Sequence, residues 1–590
     1  MWLTEEKLGR RVEELKAAIY REVQEIPTFT YIEGEFDEMQ RVSDEWRKPD
    51  FDDSGWKPFA VGSTWGGYDK TAYFRAKVTI PDAWQGKKLA LRFLVGPRDG
   101  GGSTAETLLY VDGVPLQGID IWHEDAWLPP EFAKKGYVHI ALKAWSSVLR
   151  VPDVRRFKLA HLTVIDEPTE KLYFMVDTLL KAVKELPDND LHRGVILQSI
   201  NRAVQTVDFM KPRSEAYYAS IAQAAEALAS DIASWKLPEA RKPKVIGFGH
   251  SHIDMAWLWR LAHSREKASR TFSTVLHLMR QYPEYRFLHT SPQLYKYLKQ
   301  DYPEIYAQVK ERIASGEWEI TGGMWIEPDM NVPNGESLVR QILFGKRFIR
   351  EEFGQKTNVV FLPDVFGYNW ALPQIIKRSG IDYFITSKIS WNQYNRFPHD
   401  TFMWRGVDGT EVMTHFITTP EDGSGKSYTY NGLVRPYELK GTWDQYKQKG
   451  VNEELLMAFG WGDGGGGPTK DFLEAAEVLK DVPGLPRFEL GKMEPYLERL
   501  GERVKPKDLP VWDGELYLEY HRGTYTSQAW LKRANRQAER LYHAAEWLSA
   551  YADALNGTRE YPQASLNDGW EMILLNQFHD ILPGSSIRQV

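Results

Sequence analysis

Seven short apolar runs alternate with longer amphipathic runs between Lys244 and about Asp463, and this alternation restricts the fold more than any other feature of the chain. The runs are KVIGFG, YRFLHTS, EWEITGG, NVVFLPD, DYFITSKI, EVMTHFI and LLMAFGWG, each of strand length. Between several of them lie segments such as LAHSREKASRTFSTVLHLMRQY and ESLVRQILFGKRFIREEF, whose apolar residues recur at helical spacing. Strands alternating with helices predict a parallel α/β arrangement. His252 with Asp254, Asp364 and Asp463 each follow an apolar run, at its C-terminal end. Those ends converge on one pocket in an α/β barrel, so the pattern predicts a seven-stranded (β/α) barrel-like domain over residues 241–500.

The flanking regions have other periods. An opening helix places Leu8, Val12, Leu15 and Ile19 on one stripe. From about Thr28 to Thr163, short runs broken by Gly and Asp, including the hairpin pair Asp112–Gly113, predict a β-sandwich, giving an N-terminal helix and sandwich domain over 1–165. Its aromatic residues, Trp65 among them, serve a core or a carbohydrate surface. Helical patterns over 166–240 read as a spacer, closed by the polar, twice-prolyl KLPEARKPK. Residues 501–590 return to helix and predict a bundle. The fold class is thus a multidomain chain with α/β, all-β and all-α parts. The last polar cluster, FHDILPGSS, stands a few residues before Val590, which reads as a fragment of a longer protein.

A net charge of -7 argues against nucleic acid or an anionic membrane as partner. The absence of cysteine excludes thiolate ligands, so any metal site must use imidazole and carboxylate. The N-terminus lacks the apolar centre of a signal peptide and no run reaches membrane-span length, which makes the cytoplasm the default location. The 22 Trp are numerous and flat apolar faces suit sugar rings, although most belong in cores.

His252 and Asp254 lie two residues apart, so in extended backbone both leave the same face and can grip one ion. His250 shares that alternation, and spacing alone does not separate it from His252. In GGMWIEPDMNVPNGE the candidate carboxylate is Asp329, with Glu327 its competitor. FGWGDGGGGPT lacks the Lys-Ser or Lys-Thr of a phosphate loop and leaves Asp463 as a possible proton donor. His579 and Asp580 end an apolar helical run, where an imidazole also suits the helix dipole.

In this order, VIGFGHSHIDMAW, GGMWIEPDMNVPNGESLVRQ, FLPDVFGYN, GWGDGGGGPT, YHRGTYTSQ and FHDILPGSS resemble the catalytic signatures of glycoside hydrolase family 38, the α-mannosidases, most closely its bacterial and cytosolic-type members. The resemblance covers about Val245 to Ser586 and implies hydrolysis of terminal α-linked mannose from oligosaccharides or glycans, with retention. It implies one divalent metal, zinc before cobalt or manganese, held by His252, Asp254, Asp329 and His579. Asp329 is also the implied nucleophile, Asp463 the general acid and base, and Trp257, Asp364 and Asp580 the sugar-binding residues. The family layout adds C-terminal β domains, which are absent here and would pack on this chain; a homo-oligomer is also compatible. The competing readings are a metal-dependent carbohydrate deacetylase and a non-catalytic mannose-binding fragment.

Overall fold

The computed structural model of the chain describes residues 4–96, 105–148, 154–235, 243–421, 426–557 and 561–590. Most of the segment expected as a boundary, 236–242, lies outside the described residues.

The N-terminal region is a pair of antiparallel sheets. The smaller runs in the order Tyr20–Glu25, Leu159–Ile165, Leu89–Leu94, Asp125–Leu128. The larger runs Lys57–Ala60, Thr28–Glu35, Lys70–Thr79, Tyr137–Trp145, Glu106–Val111, Val114–Ile119. Alternate residues such as Phe29, Phe74, Leu109, Leu142 and Leu162 face inward and form one core. Asp112 and Gly113 turn the expected hairpin, with φ of 49° and 83° as a type I′ turn needs. Trp65 belongs to that core: it is 2% exposed and its indole donates to the Val95 carbonyl at 2.8 Å.

Helices Glu167–Lys184, Leu191–Gln205 and Glu215–Ser234 follow, each N-capped by the side chain of Asp166, Asp190 or Ser214. Their apolar residues, Leu172, Leu179 and Leu228 among them, share a core with Val245, Phe459 and Phe488. The spacer is therefore packed onto the α/β region.

All seven predicted runs carry strands: Lys244–His250, Phe287–His289, Trp318–Ile320, Val359–Phe361, Tyr383–Thr386, Glu411–Phe416 and Glu454–Phe459. Among the described residues their ladders form two five-stranded sheets, not one closed ring of seven. The first centres on Lys244–His250, flanked in parallel by Phe287–His289, Glu454–Phe459 and Arg487–Leu490, with Trp318–Ile320 at its edge. The second runs Val359–Phe361, Tyr383–Thr386, Glu411–Phe416, Thr401–Arg405, Val511–Asp513. A parallel bridge between Gly322 and Val360 links them. The strict strand–helix alternation fails at Thr401–Arg405, which returns through a tight turn to pair antiparallel with Glu411–Phe416.

Where a helical bundle is expected, the final region supplies two long α-helices among the described residues, Ala529–Asn556 and Gln563–Asn576. They are tied to helix Gly335–Phe353: Arg340 grips Glu546 through both terminal guanidinium nitrogens at 2.7 and 2.6 Å, and Glu546 also accepts from the Trp570 indole. This docking carries His579 into the α/β region. No described helix is long and apolar enough to cross a membrane.

Candidate metal and catalytic centre

Strand Lys244–His250 can lie deep between its neighbours because two of its residues are glycine. A Cβ on Gly247 would stand 2.2 Å from Phe488, and one on Gly249 2.5 Å from Tyr285. The chain leaves this strand at His250, and its irregular continuation brings His252 and Asp254, both 1% exposed, to the strand ends.

Four side chains meet there. His252, Asp254, Asp364 and His579 each offer one ligand atom, all within 4.8 Å of one another. His252 Nε2 is 2.9 Å from Asp254 Oδ1 and 3.9 Å from Asp364 Oδ2. His579 Nε2 is 3.4 Å from Asp254 Oδ1 and 3.5 Å from Asp364 Oδ2. The two imidazole rings lie nearly parallel, at 19° and 5.3 Å.

Glu327 orients His579 and sets a negative charge beside His252. Its backbone carbonyl, an acceptor only, lies 2.7 Å from His579 Nδ1, which must carry a proton there; Nε2 is left to face the carboxylates. Its carboxylate Oε2 lies 3.1 Å from His252 Nδ1, an ion-pair separation off hydrogen-bond alignment, while Oε1 accepts from the Thr290 hydroxyl at 2.6 Å.

The electrostatics favour a cation. Burial lowers the affinity of both imidazoles for a proton, yet Glu327 and Asp254 raise His252 well above its ordinary value, and Asp254 and Asp364 hold His579 up at about 10. Carboxylates that favour protons on neighbouring imidazoles also favour a metal ion in their place. The buried Nε2 of His579 has no hydrogen-bond partner, as an atom aimed at an ion would not. Two imidazoles and two carboxylates, with no sulfur, suit zinc and its neighbours.

The two carboxyls of interest are pushed apart. Burial raises Asp364, but the buried Lys388 ammonium paired with it and the two imidazoles hold it well below the usual range. Asp463 is raised to about 7, first by burial and then by the charges of Asp254 and Asp364. It sits on the glycine-rich loop at a φ of 53° and accepts from the Tyr430 hydroxyl at 3.0 Å.

The residues singled out by sequence thus divide. His252, Asp254 and His579 come together, and Asp364 joins them. Asp329 does not join the ligand atoms. It is buried, raised by that burial, and its Oδ1 caps the backbone amides of Asn331 and Val332 at 2.9 and 2.6 Å. Asp580 borders the group, 3.9 Å from His579 Nε2, and is raised to about 7 by burial and by Asp254. Trp257 packs edge-on to Trp259, 5.9 Å between centroids. His250 stands apart, its Nδ1 3.0 Å from the Leu288 carbonyl. Sequence reasoning missed Lys388 and Tyr430, which sit in no recognised motif, and set Glu327 only as a rival to Asp329.

Comparison with known proteins agrees with this architecture. A family model described as the glycosyl hydrolases family 38 N-terminal domain matches residues 242–515, the alpha mannosidase middle domain matches 519–590, and an alpha-mannosidase jelly roll domain matches 35–144. A Dictyostelium discoideum protein named alpha-mannosidase G is 34% identical over 551 residues, covering 90% of this chain and 48% of that protein. Human alpha-mannosidase 2C1 is 35% identical over 550 residues, covering 90% and 50%. The chain thus spans about half the length of the curated relatives it matches. The crystal structure of an alpha-mannosidase from Enterococcus faecalis shares the fold, with a TM-score of 0.51 at 22% identity over 59% of this chain and 40% of that one. With three family domains matched in order along its length, the chain belongs to glycosyl hydrolase family 38.

Proposed function

We propose that this chain is the catalytic portion of a retaining, metal-dependent α-mannosidase acting on terminal α-linked mannose in glycans. One observation carries the reading: four metal-competent side chains converge around a strongly ionised carboxylate, Asp364, with the proton-holding Asp463 on the adjoining loop. Relatives named alpha-mannosidase support the choice of sugar.

His252, Asp254, Asp364 and His579 would hold the ion, with the Glu327 carbonyl fixing His579 and its carboxylate facing His252 from behind. A bound divalent ion supplies positive charge for the cis hydroxyl pair that mannose carries and glucose lacks. Asp364 takes the nucleophilic and ligand roles that the resemblance gave to Asp329. Three features support the exchange: Asp364 belongs to the ligand group, Lys388 keeps it ionised, and Asp329 instead caps a turn.

The chemistry then needs two steps. The Asp364 carboxylate attacks the anomeric carbon as the glycosidic C–O bond breaks, and the leaving oxygen takes the proton of Asp463. Asp463, now a carboxylate, removes a proton from water, whose oxygen attacks the same carbon and frees Asp364. Two inversions give net retention. Opposite pKa displacement in neighbouring carboxyls is what such a division of labour requires. Neither a deacetylase nor a simple mannose binder needs it. The test is proton NMR of the first sugar released from an aryl α-mannoside by the metal-loaded chain. α-Mannose first supports retention, whereas β-mannose first, or no turnover with intact binding, contradicts it.

A further inference from the structure

The glycine-rich loop 460–468 is a poor scaffold by itself. Five of its residues have positive φ: Gly460, Asp463, Gly464, Gly466 and Gly467, from 53° to 138°. Its own backbone supplies one small antiparallel bridge, Trp461 with Gly467, and a turn from Gly465 to Gly462. Glycines at such density confer freedom that a precisely aimed proton donor cannot tolerate.

Part of the restraint comes from the α/β region, where the Gly460 and Gly464 amides donate to the carbonyls of Gly432 and His252 at 2.9 and 3.2 Å and Tyr430 donates to Asp463, and part comes from the other domain. Just past strand Val114–Ile119 of the N-terminal sandwich, Asp120 Oδ1 accepts from the amides of Trp122 and His123 at 2.7 and 3.0 Å. His123 Nδ1 lies 3.0 Å from the same oxygen and Nε2 lies 3.0 Å from the carbonyl of Pro468, at the end of the loop. A carboxylate and a carbonyl both accept only, so His123 donates through both nitrogens as a buried imidazolium. Trp122 stacks on Trp461 at 3.8 Å and 12°. Contact is close enough that a Cβ on Gly466 would stand 2.7 Å from Asp120 Oδ2. A second prop comes from Glu106, in the same sheet, which holds the buried Lys267 and Arg270. Lys267 Nζ in turn lies 2.9 Å from where a Cβ on Gly464 would be.

We propose that the N-terminal β domain positions the general acid: Asp120, Trp122 and His123 are positioning residues that hold loop 460–468 so that the Asp463 carboxyl meets the leaving oxygen. This rests on the assignment of Asp463 as acid. None of the three belongs to the proposed ligand group or is one of the two proposed catalytic carboxyls. Their expected effect falls first on proton delivery, and that gives them a signature a merely structural contact lacks.

The signature is leaving-group dependence. A 2,4-dinitrophenolate departs without a proton, whereas an alkoxide does not. Metal-loaded Trp122→Ala and His123→Ala are therefore compared with the parent chain by kcat/KM on 2,4-dinitrophenyl and on methyl α-mannoside. Trp122 is 46% exposed, which makes its variant the safer for folding. Both should lose about tenfold or more on the methyl glycoside and less than about threefold on the dinitrophenyl one, since small misplacements of a catalytic group are costly. Glu131→Gln, which removes an exposed pairing to Arg280 at the same domain interface, should change neither. Asp463→Asn is the reference and should show the same pattern more strongly, about 10²-fold or more. If Asp463→Asn lacks the pattern, the acid assignment fails. If Asp463→Asn shows it and the Trp122 and His123 variants lose equally on both substrates, or on neither, the positioning role is overturned.

Discussion

Glu327 accepts the Nδ1 proton of His579 on its backbone carbonyl at 2.7 Å, so one residue of the 320s loop sets which nitrogen of a histidine some 250 positions later faces the carboxylates. The same residue's carboxylate stands 3.1 Å from His252 Nδ1. Removing that negative charge should loosen the grip on the metal without removing a ligand. We expect Glu327→Gln to weaken zinc affinity by about 10- to 100-fold. Competition against a chromophoric chelator measures this; unchanged affinity would remove Glu327 from the site's support.

The four proposed ligands come from distant parts of the sequence, so an ion at their junction should stabilise the native state. Dialysis against a chelator should abolish hydrolysis of an aryl α-mannoside and lower the Tm. Zinc restored to 100 times its Kd should return about 2.7 kcal/mol. A Tm and activity indifferent to both treatments would contradict the metal site.

Away from that site, His415 is 1% exposed between the Thr401 hydroxyl and Tyr496, and burial depresses it from 6.5 to about 3. The folded state therefore keeps His415 neutral where the unfolded chain protonates it. Its contribution to stability is complete above about pH 6.5 and falls as pH drops through that value towards 3, by up to about 1.4 kcal/mol per pH unit. Urea unfolding at pH 7 and pH 5 should show His415→Gln losing less stability across that interval than the parent chain. An identical loss in both would mean that His415 is not buried neutral.

The strand runs were legible because each is a continuous apolar segment with a polar end, and all seven carry strands. Their closure was not legible. Thr401–Arg405 has an apolar run of only three residues, Phe402 to Trp404, and its return through a short turn sets it between Glu411–Phe416 and Val511–Asp513. The motifs brought His252, Asp254, Asp364, Asp463 and His579 to notice, but EPD and LPD look alike on paper. Whether Asp329 or Asp364 faces the histidines depends on backbone direction after each strand, and on a turn in which the amides of Asn331 and Val332 occupy one carboxylate. Lys388, Tyr430 and the Asp120–His123 segment act across long sequence separations with no local pattern. Only the folded chain reveals them.

The choice between those two carboxylates decides the catalytic account. A 2-deoxy-2-fluoro-α-mannosyl donor with a dinitrophenolate leaving group should trap the enzyme after the first step, because fluorine slows both steps while the activated leaving group speeds only the first. Proteolysis and tandem mass spectrometry then locate the sugar. We expect the label on Asp364, within FLPDVFGYN, and none on Asp364→Ala. A label on Asp329, within WIEPDMN, would contradict the assignment.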